Sequence, residues 1–115
     1  TTFGGHPINC AASLATLQNL LTTNLMAEVD KKESLFRKYL SHPKIKEIRG
    51  KGLMLAIEFE DELLTQKVVE QSLEKGLILF YFLFTKTAIR ITPPLTISAK
   101  EIIKGCNIVK GILEA

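Results

Sequence analysis

At Ile45 the hydrophobic period of this chain changes, and that change dictates the kind of fold open to it. Before it, apolar residues recur at helical spacing: Cys10, Leu14, Leu17 and Leu21, then Leu25, Val29, Phe36 and Leu40. After it, Leu53, Leu55, Ile57 and Phe59 occupy alternate positions. A period near 3.6 draws one stripe down a helix, and a period of two draws one face along a strand. A chain that carries both must pack helices against a sheet.

Punctuation residues divide the rest. Pro7 fits the first turn of a helix, where its missing N–H does no harm. Thr22-Thr23-Asn24 offers caps between two helices, the second with Lys31, Lys32 and Glu33 facing outward and Pro43 marking its end. Ile45 to Arg49 reads as a strand, Gly50-Lys51-Gly52 as a turn, and the alternating run from Leu53 as its hairpin partner. Asp61 caps a helix carrying Leu64, Val68 and Leu73, which ends at Gly76. Leu77 to Tyr81 and Ala88 to Thr92 read as two further strands, with Lys86 at a turn between them. Ser98-Ala99-Lys100-Glu101 has the form of a capping box, and Ile102, Cys106, Val109 and Leu113 line the last helix. The order α-α-β-β-α-β-β-α predicts an α+β fold, a mostly antiparallel sheet of three to four strands with helices on one face.

Composition narrows the classes. At 115 residues the chain is one domain with a modest core, and 46% hydrophobic with 23% charged residues argues against disorder. The net charge of +3 is interspersed, which reads as solvated faces rather than a nucleic-acid footprint. Cys10 and Cys106 form no CxxC or metal spacing and read as two reduced, buried thiols of a cytosolic protein. The longest apolar run, Leu77 to Phe84, is too short to span a bilayer. The chain opens on a loop, Thr1 to Gly5, rather than on Met, and the expectation is a piece of a longer protein.

Arg90 carries the chemistry. It sits alone in Ala88-Ile89-Arg90-Ile91-Thr92, and Pro93-Pro94 stops the run at once. Its guanidinium stays charged, and its planar fork matches a carboxylate or phosphate with two parallel hydrogen bonds. In a strand, Ile89 and Ile91 face the helix-covered core. Ala88, Arg90 and Thr92 face the other way, among small residues that leave room for a ligand. Either a nearby Glu of this chain meets Arg90, or the anion comes from outside; the local residues leave both open.

Other candidates are weaker. The Thr1-to-Pro7 loop offers hydroxyls and flexible glycines ahead of a helix, a possible phosphate cradle or a plain helix stop. An N-terminal Thr can act as a hydrolase nucleophile, but the chain is small for such a fold. His6 and His42 have no partners at metal-ligand spacing, so no metal is expected. Phe80, Tyr81, Phe82 and Phe84 form an uninterrupted run without an RNA-binding pattern, which favours core packing and interface burial over base stacking. Glu58 and Glu60 share a strand face, and nothing marks them as an acid/base pair.

Three motifs carry a resemblance. Thr2-Phe3-Gly4-Gly5-His6-Pro7 followed by Cys10-Ala11-Ala12 resembles the Thr-Phe-Gly-Gly-Asn-Pro…Cys-Ala-Ala stretch of class III pyridoxal-phosphate aminotransferases. That family includes ornithine, acetylornithine and 4-aminobutyrate aminotransferases. Arg49-Gly50-Lys51-Gly52-Leu53-Met54 resembles its Arg-Gly-Lys-Gly-Leu-Met hairpin, and Arg90-Ile91-Thr92-Pro93-Pro94-Leu95 with Ile97 resembles its Arg-hydrophobic-x-Pro-Pro-Leu ending. The motifs fall in the family's order across nearly the whole chain; His6 departs from the commoner Asn.

The resemblance implies the C-terminal small domain of a fold-type I enzyme, with residues 1–7 the end of the large-domain cofactor loop and 8–115 the small domain. It implies that Thr2 donates to the cofactor phosphate of the neighbouring subunit in a homodimer. It implies that Arg90 binds the carboxylate of an amino-acid or 2-oxo-acid substrate. The implied reaction is ping-pong transamination in the cytoplasm, with pyridoxal 5'-phosphate as cofactor and no role for nucleic acid or membrane. The Schiff-base lysine that anchors the cofactor belongs to the large domain, so no catalytic residue is assigned in this chain, and the chain by itself is expected to be inactive. A stand-alone amino-acid- or anion-binding regulatory module is the alternative reading.

Overall fold

The structure, a computed structural model, describes residues 2–115. Its elements follow the expected order: α1 (Pro7–Thr22), α2 (Val29–Tyr39), β1 (Ile45–Lys51), β2 (Met54–Phe59), α3 (Glu62–Glu74), β3 (Phe80–Phe82), β4 (Thr85–Ile91) and α4 (Ala99–Glu114). The strands form one antiparallel sheet in the order β1-β2-β4-β3. This is the α+β architecture that the change of period predicts.

One face of the sheet makes the core. Leu55, Ile57, Phe59, Ile89 and Ile91 meet Phe36 of α2 and Leu40 at its C-terminal cap, Val68 of α3, and Ile102, Cys106, Val109 and Leu113 of α4 in a single cluster. The helix starts are built as the sequence indicates. The Asp61 carboxylate accepts from the Leu64 N–H at 2.7 Å, and Ser98 and Glu101 form a reciprocal capping box.

The β1–β2 hairpin depends on glycine. Gly50 has φ +113°, and a Cβ there would lie 2.1 Å from the Met54 carbonyl oxygen. The turn falls on Gly52 and Leu53, and Gly50 and Lys51, expected in the turn, stay within the strand. The exposed edge of β1 is closed from α2. Arg37 donates to the Ile48 and Gly50 carbonyls at 2.8 and 2.9 Å, while its Nε donates to Glu33. This covers groups that would otherwise invite another strand.

Several expectations need correction. β3 starts at Phe80, not Leu77, because the Gly76 and Leu77 N–H groups bond back to Leu73 and Ser72 to end α3. Lys86 lies inside β4, and the turn falls on Leu83 and Phe84. On α3 the buried positions are Thr65, Val68 and Ser72; Leu73 is exposed. Lys32 is buried rather than outward: its ammonium donates to the Leu95 carbonyl at 2.6 Å and pairs with Glu28 at 3.0 Å, latching α2 to the loop after Pro93-Pro94.

The largest departure is α1. It buries no side chain, and Ile8, Leu14, Leu17 and Leu21 are all exposed. Cys10, expected to be buried, is exposed with them, because no element among the described residues covers that stripe. Cys106 is buried as expected, and burial pushes its thiol up to about 11. The aromatic run likewise stays out of the core, with Phe80, Tyr81 and Phe84 exposed. β3 is an edge strand of the sheet.

Candidate functional site

The site grows from strand register. Ala56 pairs with Arg49 on one side and with Arg90 on the other, and Arg90 pairs with Phe80. Directly paired residues of an antiparallel sheet share a face. Arg49, Ala56, Arg90 and Phe80 thus form one row across all four strands, on the face away from the helices. Ile89 and Ile91 take the opposite face and are buried.

The two arginines of the row differ. Arg49 is bonded to Glu58 and lies 3.9 Å from Glu47. Glu58 also accepts from the Thr87 hydroxyl at 2.7 Å. The bonds from Thr87 and then Arg49 hold its carboxyl below the usual carboxylate range, against the opposing effect of burial. Arg90 forms no ion pair among the described residues, and its neighbour is the Phe80 ring, 5.8 Å from the guanidinium carbon. Glu58, one register step along the same sheet face, is engaged by Arg49 and Thr87.

Room for an anion lies between the two arginines. A shallow cavity of about 280 Å³ is lined by Arg49, Met54, Ala56, Phe82, Arg90 and Thr92. The space sits on the Ala56 and Thr92 side of Arg90; Ala88, expected to leave room as well, is fully covered. The loop that follows is fixed by the Lys32 bond to Leu95, so the exit of β4 is held from α2. Arg49 and Phe80 were not singled out as neighbours of Arg90 from sequence. The signal that finds them is register, and it requires knowing which strands pair.

Thr2 lies elsewhere. It is exposed, in a turn before α1, and is not among the residues lining the Arg90 cavity. The N-cap, His6, makes no side-chain capping bond, and the first turn of α1 carries no acidic residue. Helix N–H groups without a side-chain cap are the kind of donors that can receive a phosphate. Thr1, weighed as a hydrolase nucleophile, lies outside the described residues. His6 and His42 stay separate: the His42 Nδ1 accepts from the Lys44 N–H at 3.1 Å. Among the described residues there is no group of metal-ligating side chains, and no helix is long and apolar enough to cross a membrane.

Comparison with known proteins identifies the family. The profile of the family described as "Aminotransferase class-III" matches residues 1–113. An acetylornithine aminotransferase of Caldanaerobacter subterraneus subsp. tengcongensis is 36% identical over 118 residues, covering 98% of this chain and 29% of that protein. A Bacillus anthracis aminotransferase superposes with a TM-score of 0.88 at 31% identity, covering 99% of this chain and 29% of that one. Plasmodium falciparum ornithine delta-aminotransferase superposes with a TM-score of 0.85 at 28% identity, covering 99% and 30%. The chain belongs to the class-III aminotransferase family. It spans less than a third of the length of the relatives it matches.

Proposed function

We propose that this chain is the small-domain part of a pyridoxal-phosphate-dependent aminotransferase that moves an amino group from an amino acid or amine to a 2-oxo acid. On this reading residues 1–7 end the large-domain cofactor loop and residues 8–115 form the small domain. Arg90 carries it. It is a permanent cation on the open face of the sheet, paired with no carboxylate among the described residues, beside a cavity and inside the family's Arg-x-x-Pro-Pro-Leu pattern.

Arg90 binds and orients the substrate carboxylate with its forked N–H donors. Thr2 donates its hydroxyl to the cofactor phosphate of the neighbouring subunit, next to the uncapped start of α1. When bound, pyridoxal phosphate supplies the carbonyl carbon that takes up the amino group and hands it on. The lysine that moves the proton belongs to the missing part of the protein, so this chain alone turns nothing over. The apolar stripe of α1 packs on that missing part. The working enzyme is a homodimer, since the Thr2 contact crosses subunits, and its free thiols suit the cytoplasm. Nothing in these findings supports a stand-alone regulatory module.

The test is Arg90→Lys in the intact enzyme. Loss of the bidentate fork is expected to raise KM for a 2-oxo acid by roughly tenfold or more. An unchanged KM overturns the assignment. Transamination by the purified 115-residue chain with added cofactor would overturn the claim that it is inactive by itself.

A further inference from the structure

Phe80 stands in an unusual place. It is directly opposed to Arg90 across the β3–β4 pair, on the face away from the core, and is 57% exposed. Core packing does not account for a phenylalanine there. The Arg90 guanidinium carbon lies over the ring, 5.8 Å from its centroid, within the range of a cation–π interaction.

That placement has a useful consequence. A ring attracts the guanidinium charge through its quadrupole and, unlike a carboxylate, does not neutralise it. A carboxylate takes two of the guanidinium's N–H donors. An exposed arginine otherwise samples many rotamers, and ordering it on binding costs affinity. A ring that already holds it removes part of that cost.

We infer that Phe80 is a positioning residue for the substrate: its ring holds the Arg90 guanidinium by cation–π attraction without neutralising its charge, which stays available to the carboxylate. The inference rests on the reading of Arg90 as a carboxylate clamp. It adds a residue from a different strand, outside the Arg-x-x-Pro-Pro-Leu motif, that sets how well the clamp works.

The experiment is steady-state kinetics of the intact aminotransferase with 2-oxoglutarate and with pyruvate as acceptors, comparing Phe80→Leu, Phe80→Trp and Arg90→Gln. Phe80→Leu keeps an apolar side chain and removes the ring. For whichever acceptor is used, it is expected to raise KM about three- to fivefold, with kcat near that of the unaltered enzyme. Phe80→Trp supplies a stronger ring and is expected to restore or lower KM. If Arg90→Gln raises KM and Phe80→Leu does not, the positioning role is overturned while the clamp stands. If the Trp variant is impaired as much as the Leu variant, Phe80 is structural only and the inference fails. If Arg90→Gln leaves KM unchanged, the clamp itself is wrong and the inference falls with it.

Discussion

Arg49 and Arg90 stand in one row of the sheet with Ala56 between them, and among the described residues only Arg49 is met by a carboxylate. One arginine is thereby part of the fold, and the other is available to something the fold does not contain. Stability measurements separate the two. Arg49→Gln strips Glu58 of a charged partner and is expected to cost about 1 kcal/mol, since the pair is partly exposed and Glu58 keeps its bond from Thr87. Arg90→Gln breaks no ion pair and is expected to stay within about 0.5 kcal/mol of the unaltered chain. Urea unfolding of the two variants checks this, and equal losses would contradict the division.

The hairpin glycine gives a second contrast. At Gly50 an added Cβ meets both a left-handed backbone and the Met54 carbonyl, whereas at Gly76, with φ +78°, it meets open space. Gly76→Ala is expected to lose about 1 kcal/mol, from strain alone. Gly50→Ala is expected to lose at least about 2 kcal/mol and to disturb the β1–β2 register. Thermal unfolding of both variants provides the comparison.

Acid should weaken the fold through three carboxylates. Glu33, Glu58 and Glu101 are each held below their ordinary value of 4.5. For Glu33 the causes are bonds from Arg37 and Gly52, for Glu58 bonds from Thr87 and Arg49, and for Glu101 bonds from Ser98. A carboxylate with a lowered folded pKa stabilises the native state above its unfolded pKa. That stabilisation is lost as pH falls through the folded value. The urea midpoint is expected to hold above about pH 5 and to decline below it. Glu58→Gln should make that decline shallower, which a series of midpoints down to about pH 3 will reveal.

The two thiols should differ in reactivity. Cys10 is exposed on α1, while Cys106 is buried with its thiol pushed up to about 11. A disulfide reagent at neutral pH is expected to label Cys10 of the isolated chain quickly and Cys106 only on unfolding. Counting the labels before and after denaturant tests this; two fast labels would contradict the placement of Cys106.

Much of this was legible in the sequence because local physics decided it. The alternation of Leu55, Ile57 and Phe59 fixes which face of β2 is buried, and the Ser98–Glu101 box fixes where α4 starts. Arg90 could be placed on the open face from its Ile neighbours alone. Other features depend on tertiary context. Lys32 reads as a surface lysine until the Leu95 carbonyl arrives from far along the chain. Leu77 reads as a strand residue until its N–H is used to close α3. The choice between a Glu partner and an external anion for Arg90 turned on register, since Glu58 is engaged by Arg49 and Thr87. Cys10 was misplaced because a helical stripe shows that a surface will be covered without showing by what.

The bare stripe of α1 divides the apolar residues of this chain between two masters. The buried ones from Phe36 onward answer to one another in a single cluster, so a change at Ile57 or Ile102 can be rescued by a change at a neighbour within the same 115 residues. Leu14, Leu17 and Leu21 have no such neighbour here. Their compensating changes must be sought outside this stretch, so α1 and the body that follows it should drift independently across relatives.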